Sequence, residues 1–467
     1  MLDPFSLLPL SLAARGGYVD DFEVQQLVAA GLTLLQRSAA LVRALGGKRS
    51  GILLPTSPQF FIALAASEGR GAVLINPLAS RFEIAHQISD AGIGAVFTTN
   101  ALSPMLPSDL PRVLLDDAPR TATVITGGIP RDVDLGSHIG LTLEGDPDTH
   151  GSREEAAIVY TSAMQGVPLG AILTHRNLLA NARSTMEVVG NSKDDRVLAL
   201  LPFSHLFGLT VTASAPLLAG ASVVTMPRFE PSRAVELLIK CEVNQVVGVP
   251  SVFRALLIAI EKHGATTRSD FANVRMCICG GAPLALELQE QWFDVTGVEL
   301  RQGYGLTEAG PVCLFNRADR PNVRGALGYP LPGVEVNLID GEIAVRGDNV
   351  FSGYVSNGAD GLHVTDGWLL TGDGGAMNAD RSVAFTDVIK PMFTRNGFNI
   401  YPTEIVQAVL ALEGVRRATV TEGRRDAGRE ADVVLEYAGL PDEQTVRDWC
   451  KERIATYKQP TVIKKIE

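Results

Sequence analysis

Short apolar strand patterns alternate with helix patterns through the first part of the chain. Strands are predicted at residues 51–54, 72–75 and 95–98, with helices between them at residues 60–66 and 82–88. A strand that is regularly followed by a helix of this length belongs to a βαβ unit, in which the strands run parallel. Parallel sheets are covered by helices on both faces. The alternation therefore predicts an α/β fold with doubly wound βαβ subdomains.

The pattern changes further along the chain, which indicates additional units. After residue 320, short strands separated by Gly- and Pro-rich turns predict a small β-barrel-like unit. The last segment has helix patterns at residues 402–412 and 443–453 that flank two short strands, as in a small α+β domain. Because 467 residues exceed the ordinary size of one domain, we expect a large N-terminal domain over residues 1–389 and a C-terminal domain over residues 390–467.

Two long apolar stretches lie within the predicted N-terminal domain. Residues 21–45 have helical spacing and are predicted to form one helix that ends at a pair of glycines. Residues 207–227 are uncharged and long enough to span a bilayer. Gly208, Pro216 and Gly220 interrupt this second stretch, so we expect a buried helix and strand there and no transmembrane segment.

The composition excludes several classes of partner. The formal net charge is −11 and no basic run is present, which argues against a nucleic-acid or anionic-membrane surface. Five scattered cysteines are too few for a disulfide framework, and Cys277 and Cys279 are expected on one buried strand. A reducing compartment follows, so we expect a cytoplasmic protein with small-molecule partners.

A candidate phosphate loop lies between residues 160 and 170. It follows an apolar strand pattern and contains two hydroxyl residues and two glycines, namely Thr161, Ser162, Gly166 and Gly170. A helix pattern opens after it at Thr174. Loops between a strand and a helix gather backbone N–H groups around anions. The segment therefore predicts an anion site in a strand–loop–helix arrangement.

The segment from residue 301 to 311 has the strongest functional pattern in the chain. Gly303 and Gly305 flank Tyr304, so the backbone can approach a planar ring closely, and Thr307 and Glu308 follow as a hydroxyl and a carboxylate. From these residues alone, an ordinary Gly-rich turn is an open alternative. Metalloprotease, Walker-type and Gly-x-Ser-x-Gly hydrolase motifs are absent from the sequence.

Both segments resemble signatures of the acyl-adenylate-forming superfamily, the AMP-dependent synthetases and ligases that include acyl- and aryl-CoA ligases. The Tyr-Gly-x-Thr-Glu signature is intact at residues 304–308. By this resemblance Tyr304 stacks on adenine beside Gly305 and Thr307 bonds the α-phosphate. Glu308 would hold Mg²⁺ against the phosphates, as expected for a hard ion with one carboxylate and substrate oxygens. Thr307 and Glu308 would be the catalytic residues.

Further segments match the family in the same order along the chain. The resemblance implies that Asp373 binds the ribose hydroxyls and that residues 397–405 open a mobile C-terminal domain. A lone His is more often structural, but the segment around His205 resembles the family's carboxylate gate. The remaining implied positions are the adenine-edge residues Gly281, Ala282 and Pro283, and the acyl-pocket residues His205, Val249, Gly303 and Pro311.

The chain also departs from the family pattern at cationic positions. The family's phosphate loop reads Tyr-Thr-Ser-Gly-Thr-Thr-Gly-x-Pro-Lys-Gly, whereas this chain has Leu169 in place of the lysine and Val388 in place of an arginine that contacts ribose. The family's C-terminal lysine is expected beyond Glu467. The resemblance places the interdomain hinge at Lys390. Pro391 follows it, and we hypothesise that this proline restricts rotation of the C-terminal domain.

Three functional hypotheses follow from the resemblance and its departures. The first is an AMP-forming acid–CoA or acid–thiol ligase that uses ATP, Mg²⁺ and coenzyme A to activate a fatty or aromatic carboxylic acid. An acyl carrier protein is an alternative thiol partner. The second is a catalytically impaired relative that binds an acyl-adenylate, AMP or an acyl chain. The third is an acyltransferase that has lost the ATP step.

Overall fold

The computed structural model describes residues 3–67, 71–136, 144–161, 168–264, 267–356, 364–388, 392–395, 398–423 and 432–466. The α-helices in these ranges are α1 (Leu8–Ala13), α2 (Val24–Arg37), α3 (Ala39–Leu45), α4 (Gln59–Ala66), α5 (Arg81–Asp90), α6 (His175–Val189), α7 (Ala215–Leu218), α8 (Pro231–Ile239), α9 (Pro250–His263), α10 (Leu286–Thr296), α11 (Pro402–Leu410) and α12 (Glu443–Arg453). A π-helix spans Phe207–Ser214, and short 3-10 helices include Thr307–Ala309 and Thr456–Lys458.

The strands are β1 (Tyr18–Val19), β2 (Phe22–Glu23), β3 (Arg49–Ile52), β4 (Ala72–Leu74), β5 (Ile93–Thr98), β6 (Arg112–Leu114), β7 (Thr121–Thr126), β8 (Ile129–Asp134), β9 (Glu155–Thr161), β10 (Leu169–Thr174), β11 (Arg196–Ala199), β12 (Ser222–Thr225), β13 (Gln245–Gly248), β14 (Met276–Cys279), β15 (Leu300–Gly305), β16 (Val312–Phe315), β17 (Tyr329–Pro330), β18 (Val334–Ile339), β19 (Glu342–Gly347), β20 (Val364–Thr365), β21 (Trp368–Met377), β22 (Val383–Val388), β23 (Phe393–Arg395), β24 (Phe398–Ile400), β25 (Val415–Glu422), β26 (Val433–Gly439) and β27 (Val462–Lys465).

Two large sheets with parallel centres form most of the molecule. One has the order β10-β9-β4-β3-β5-β6-β7-β8, and its strands from β9 to β6 are parallel. The other has the order β17-β16-β15-β14-β13-β11-β12-β1-β2, and its strands from β15 to β1 are parallel. Both sheets carry antiparallel strands at their edges. The predicted α/β class is confirmed.

Alternate residues of β9 show why its sequence is almost continuously apolar. Ala157 and Val159 belong to the main core of the molecule, whereas Ile158 belongs to a second core that also contains Ile84 of α5. Side chains of successive strand residues point to opposite faces, so both faces of this sheet are buried. The sheet is therefore covered on both sides, as the sequence pattern predicts.

The later part of the chain forms two smaller β-containing units. Strands β18, β19, β21, β20 and β22 build the antiparallel unit that the sequence predicts to be barrel-like. Residues 392–466, here named the C-terminal unit, contain α11, α12 and the sheet of β25, β26 and β27 around a separate core. The predicted domain boundary between residues 389 and 390 lies outside the described residues.

The prediction of one helix over residues 21–45 is wrong. Helix α2 ends at Arg37 and α3 begins at Ala39, with an 89° bend between them. Ser38 causes this break because its hydroxyl accepts a hydrogen bond from the Leu41 N–H (3.2 Å) and so starts a new helix. Within the described ranges, no single helix is long and apolar enough to cross a membrane. The bent pair of α2 and α3 together meets that length and composition.

Candidate active site

A cavity of about 500 Å³ lies between the large sheets, the barrel-like unit and the C-terminal unit. Most of the predicted site residues line it, although they come from distant parts of the sequence. They are Thr161, His205, Gly281, Ala282, Pro283, Gly303, Tyr304, Gly305, Thr307, Glu308, Pro311 and Asp373. Open α/β sheets bind ligands at the carboxyl ends of their strands, and several of these residues follow such strand ends.

Other predicted residues are not part of the cavity wall that the structure describes. Val249 is buried immediately before α9, where it precedes the helix instead of facing the cavity. Gly170 lies in β10 opposite Tyr160 and packs within the sheet. Four further predicted residues lie outside the described residues, namely Ser162, Gly166, Lys390 and Pro391.

The prediction of a strand–loop–helix around the phosphate loop is wrong in one respect. The chain returns from the loop as strand β10, which pairs antiparallel with β9 through Thr161 and Leu169. The apolar run from Leu169 to Leu173 favours this strand because it continues a buried sheet. Helix α6 begins only at His175, where the Thr174 hydroxyl accepts from the Asn177 N–H at 3.1 Å. The loop therefore connects two strands, and the N-terminus of α6 is separated from it.

Two residues of α5, neither of them predicted from the sequence, contact the two residues that flank this loop. The Tyr160 hydroxyl donates to an Asp90 carboxylate oxygen at 2.6 Å. Burial and this carboxylate raise the pKa of Tyr160, so the hydroxyl stays protonated. On the other flank, His86 Nε2 lies 3.2 Å from the Pro168 carbonyl oxygen, to which it donates. Because the two α5 residues are four positions apart, they lie on one helix face.

Strand β15 presents Tyr304 at the cavity beside a carboxylate from the barrel-like unit. The Tyr304 hydroxyl donates to Asp373 Oδ2 at 2.7 Å. Burial, with Asp373 nearby, raises the pKa of Tyr304 well above its ordinary value, so the phenol remains a neutral donor. Gly305 is required by close packing, since a Cβ atom there would lie 1.8 Å from the Pro311 carbonyl oxygen.

Glu308 is a buried carboxylate in the cavity wall. It is 6% exposed, and its Oε1 accepts hydrogen bonds from the Tyr354 hydroxyl (2.8 Å) and the Thr161 hydroxyl (3.3 Å). Within the described ranges, no cluster of three His, Cys, Asp or Glu residues is arranged to hold a metal ion alone. Mg²⁺ commonly takes one carboxylate together with phosphate oxygens and waters. Glu308 fits that role, with the substrate supplying the other ligands.

His205 is a neutral side chain whose tautomer is set by its own backbone neighbourhood. Its Nδ1 accepts from the Phe207 N–H at 3.2 Å, so the ring proton lies on Nε2. Burial lowers the pKa of His205 to about 4. The ring packs edge-on against Phe398 of the C-terminal unit at 6.2 Å between centroids. Phe398 in turn stacks on Tyr457 at 4.1 Å.

We expect the His205 imidazole to stay neutral in an NMR pH titration until the pH falls to about 4. The unfolded chain binds this proton near pH 6.5 and the folded protein only near pH 4, so this group makes folding less favourable as the pH falls through that window. The ring ¹H–¹³C signals, assigned by loss in a His205→Gln variant, report the midpoint. A midpoint near 6.5 would contradict the burial described here.

The charges around the cavity are mostly negative. The lining carboxylates include Glu83, Glu308, Asp373 and Glu422, and Lys458 is the single lysine or arginine in the described lining. Burial disfavours the charged form of Lys458, but neighbouring Tyr457, Glu404 and Glu83 raise its pKa above the ordinary value. Leu169 lines the cavity as an apolar side chain.

Comparisons with known proteins show what the chain is similar to. The family model for AMP-binding enzyme matches residues 33–355. A long-chain-fatty-acid–CoA ligase of Bacillus subtilis is 27% identical over 89% of this chain and 81% of its own length. The 4-coumarate–CoA ligase 5 of Oryza sativa subsp. japonica is 29% identical over 91% of this chain and 83% of its own.

A solved structure extends the likeness to the whole architecture. A malonyl-CoA ligase in a ternary product complex with methylmalonyl-CoA and AMP superposes with a TM-score of 0.79 and 25% identity. That alignment covers 97% of this chain and 96% of the solved one. The family match spans most of both large sheets and includes the Tyr304–Glu308 segment. The chain belongs to the AMP-binding enzyme family, whose relatives include the acyl- and aryl-CoA ligases.

Proposed function

We propose that this protein is an AMP-forming acid–thiol ligase that activates a fatty or aromatic carboxylic acid, with coenzyme A as the thiol. The observation that carries this proposal is the convergence of Tyr304, Thr307, Glu308, Asp373 and His205 on one cavity. The family membership supports it, because the relatives compared above are CoA ligases.

The proposed reaction has two steps in this cavity. The acid carboxylate attacks the ATP α-phosphorus, and the bond to pyrophosphate breaks to leave an acyl-adenylate. A thiol sulfur then attacks the acyl carbon and expels AMP. Tyr304 and Asp373 would hold adenine and ribose, while Thr307 would bond the α-phosphate. Glu308 would hold Mg²⁺, which supplies neutralisation of the phosphate charge.

The cavity lining includes apolar side chains that suit an apolar acid. These side chains are almost entirely hydrocarbon, namely those of Val189, Phe207, Val211, Ile278, Val312, Phe315 and Leu327. Ligand pockets of this composition obtain affinity from apolar burial and specificity from a few polar groups. The neutral His205 would donate from Nε2 to an oxygen of the bound carboxyl group. This favours fatty or aromatic acids over small charged ones.

Tyr354 is expected to support catalysis through Glu308. In Tyr354→Phe the ring contact with Phe351 (4.9 Å) is kept, but the hydrogen bond to the carboxylate is lost. Hydrogen bonds to charged groups are worth about 1.5–3 kcal/mol, so we expect kcat/KM for ATP to fall about tenfold or more. The measurement is steady-state kinetics at several Mg²⁺ concentrations.

Tyr329→Phe is the matched control for that variant, because its hydroxyl bonds Asp380 at 3.1 Å and it does not line the cavity. Equal kinetics for the wild type and Tyr354→Phe would show that this hydroxyl does not position Glu308.

A second candidate function is favoured by the cavity charges. Leu169 replaces the family's loop lysine, and Lys458, the one lysine in the part of the lining that the structure describes, is already paired with carboxylates. Charge-assisted contacts supply much of the stabilisation of bound phosphates. This lining would therefore stabilise the triphosphate of ATP only weakly. The alternative is therefore an impaired ATP step, with the protein binding a preformed acyl-adenylate or transferring its acyl group to a thiol.

Product analysis tests the main proposal and separates it from this alternative. The protein is incubated with ATP, Mg²⁺, CoA and a panel of fatty and aromatic acids, and acyl-CoA and AMP are measured by mass spectrometry. Equal amounts of both products with at least one acid are expected. Acyl-CoA formed only when acyl-AMP is supplied would favour the second candidate. No product in either case would overturn both the ligase and the acyl transfer, and would leave only binding of an acyl-adenylate.

A further inference from the structure

A buried charge cluster joins the C-terminal unit to the large domain. The Lys458 ammonium lies 2.6 Å from Glu404 Oε1 and 3.2 Å from Glu83 Oε1. Lys458 and Glu404 belong to the C-terminal unit, whereas Glu83 belongs to α5. The three side chains are 4%, 8% and 9% exposed. One ion pair therefore lies within the C-terminal unit and the other crosses to the large domain.

Further contacts surround this ion pair. The Thr456 N–H donates to the Leu78 carbonyl oxygen at 3.3 Å. The Arg453 guanidinium lies 5.0 Å from the ring of Phe82 and 3.7 Å from that of Trp449. Leu78, Phe82 and Glu83, here named the α5 dock, thus receive residues 453–458 through a hydrogen bond, a cation–π contact and a salt bridge.

The energetics of the cluster favour a role in orientation more than in stability. Two carboxylates share one ammonium, and Glu404 Oε2 has no hydrogen-bond partner among the described residues. Burying such charges is costly unless they are paired. If the C-terminal unit moved away, Lys458 would keep Glu404, and Glu83 would return to water. The salt bridge to Glu83 is therefore available in this orientation of the two units and lost when they separate.

This orientation also sets the wall of the cavity. Tyr457 precedes Lys458 and stacks on Phe398, which packs against His205. Two aromatic rings and a lysine already paired with carboxylates are poorly suited to receive an anionic triphosphate. They suit the second step, in which a neutral acyl carbon meets a thiol and the leaving group carries a single phosphate.

We propose that Glu83 is a positioning residue for thiol transfer: by capturing Lys458 it holds the C-terminal unit where Phe398 and Tyr457 close the cavity beside His205. This inference rests on the proposed function and assigns Glu83 to one of its two steps. Glu83 does not touch the reacting atoms in this role. It acts through Lys458 and the segment that carries Tyr457.

Replacing Glu83 with glutamine removes the negative charge and keeps the other local contacts of this side chain. Glu83 also belongs to a capping box, in which its Oε2 accepts from the Ser80 N–H at 2.7 Å and its own N–H donates to the Ser80 hydroxyl at 3.1 Å. Glutamine keeps the side-chain acceptor of a capping box. Glu83→Gln therefore preserves the helix start and abolishes the salt bridge. Ser80→Ala is the matched control, because it weakens the capping box and leaves the charges in place.

The two steps are assayed separately in the full chain. We expect Glu83→Gln to slow acyl-CoA formation from supplied acyl-AMP and CoA by about tenfold or more, since losing one partner of a buried pair is costly. Its ATP–pyrophosphate exchange should fall far less than its acyl-CoA formation, and Ser80→Ala should keep the wild-type ratio of the two rates. Lys458→Gln combined with Glu83→Gln should be no slower than Lys458→Gln alone. Equal slowing of both steps by Glu83→Gln would overturn the assignment.

Hydrogen–deuterium exchange provides a readout that does not depend on activity. The Thr456 amide, which bonds the dock, should exchange faster in Glu83→Gln than in the wild type and Ser80→Ala. An unchanged hydrogen–deuterium exchange rate of the Thr456 amide in Glu83→Gln would overturn the docking role, even if the protein proves to be an active ligase. Faster amide exchange at Thr456 in Glu83→Gln, in a protein without ligase activity, would support the docking of residues 453–458 although the proposed function fails.

Discussion

Replacing Glu308 with glutamine is expected to lower the rate of acyl-adenylate formation by about 100- to 1,000-fold, the range found when one preorganised electrostatic group is removed from an active site. Glu308→Gln keeps an oxygen that can accept from the Tyr354 and Thr161 hydroxyls, so the local structure should survive. The lost negative charge is the feature that would hold Mg²⁺ against the phosphates. Initial rates of AMP formation at saturating acid measure the effect.

The second step provides an internal comparison for the Glu308 variant. Acyl transfer from supplied acyl-AMP releases no pyrophosphate and so does not need Mg²⁺ held against a triphosphate. In Glu308→Gln, the rate of this transfer should therefore fall far less than the rate of adenylation. Glu335→Gln is a matched control, since Glu335 is an exposed residue of β18 paired with Arg346. A Glu308→Gln protein that forms acyl-AMP at the wild-type rate would show that this carboxylate is not used in the ATP step.

Introducing a lysine at position 169 is expected to accelerate the ATP-dependent step. Leu169 begins β10, lines the cavity and pairs with Thr161, whose hydroxyl contacts Glu308. An ammonium at this position would therefore lie close to the proposed phosphate site. A charge-assisted contact to phosphate is about twice as strong as a neutral hydrogen bond, so we expect a gain of about tenfold or more in kcat/KM for ATP.

Leu169→Met is the control for this gain, because methionine has similar volume without charge. The rate with supplied acyl-AMP should be the same in Leu169→Lys, Leu169→Met and the wild type. If Leu169→Lys and Leu169→Met have equal kcat/KM for ATP, the absent lysine does not limit the ATP step, and the second candidate function loses its main support.

Much of the fold follows from local sequence patterns, since they determine each element separately. The alternation of apolar strands with helices predicts the parallel sheets, and the change after residue 320 predicts the antiparallel unit. The errors are also local. The apolar run after the loop becomes β10, which its pairing with β9 stabilises, and Ser38 divides a predicted helix by capping α3. The spacing of apolar residues alone does not distinguish a strand from a helix in a short run, or one helix from two.

The site was predicted where its residues form short motifs and missed where they act through long-range contacts. Tyr304, Thr307 and Glu308 lie in one short segment, residues 304–308, so their pattern is visible in the sequence. Asp90 and Tyr160 form a hydrogen bond although they are 70 positions apart in the sequence. Glu83 and Lys458 form a salt bridge although they are 375 positions apart. No local pattern reports such pairs, because each residue alone is an ordinary polar residue of a helix or turn. Their roles appear only once the chain is folded.

The central claim is that this cavity forms an acyl-adenylate from ATP and a carboxylic acid. ATP–pyrophosphate exchange measures that step alone, since labelled pyrophosphate enters ATP only if the adenylate forms reversibly. The wild-type protein, with Mg²⁺ and a panel of fatty and aromatic acids, is predicted to exchange label with at least one acid and to lose exchange in Glu308→Gln. Absence of exchange with every acid, in a folded protein that still converts supplied acyl-AMP and CoA to acyl-CoA, would contradict the claim.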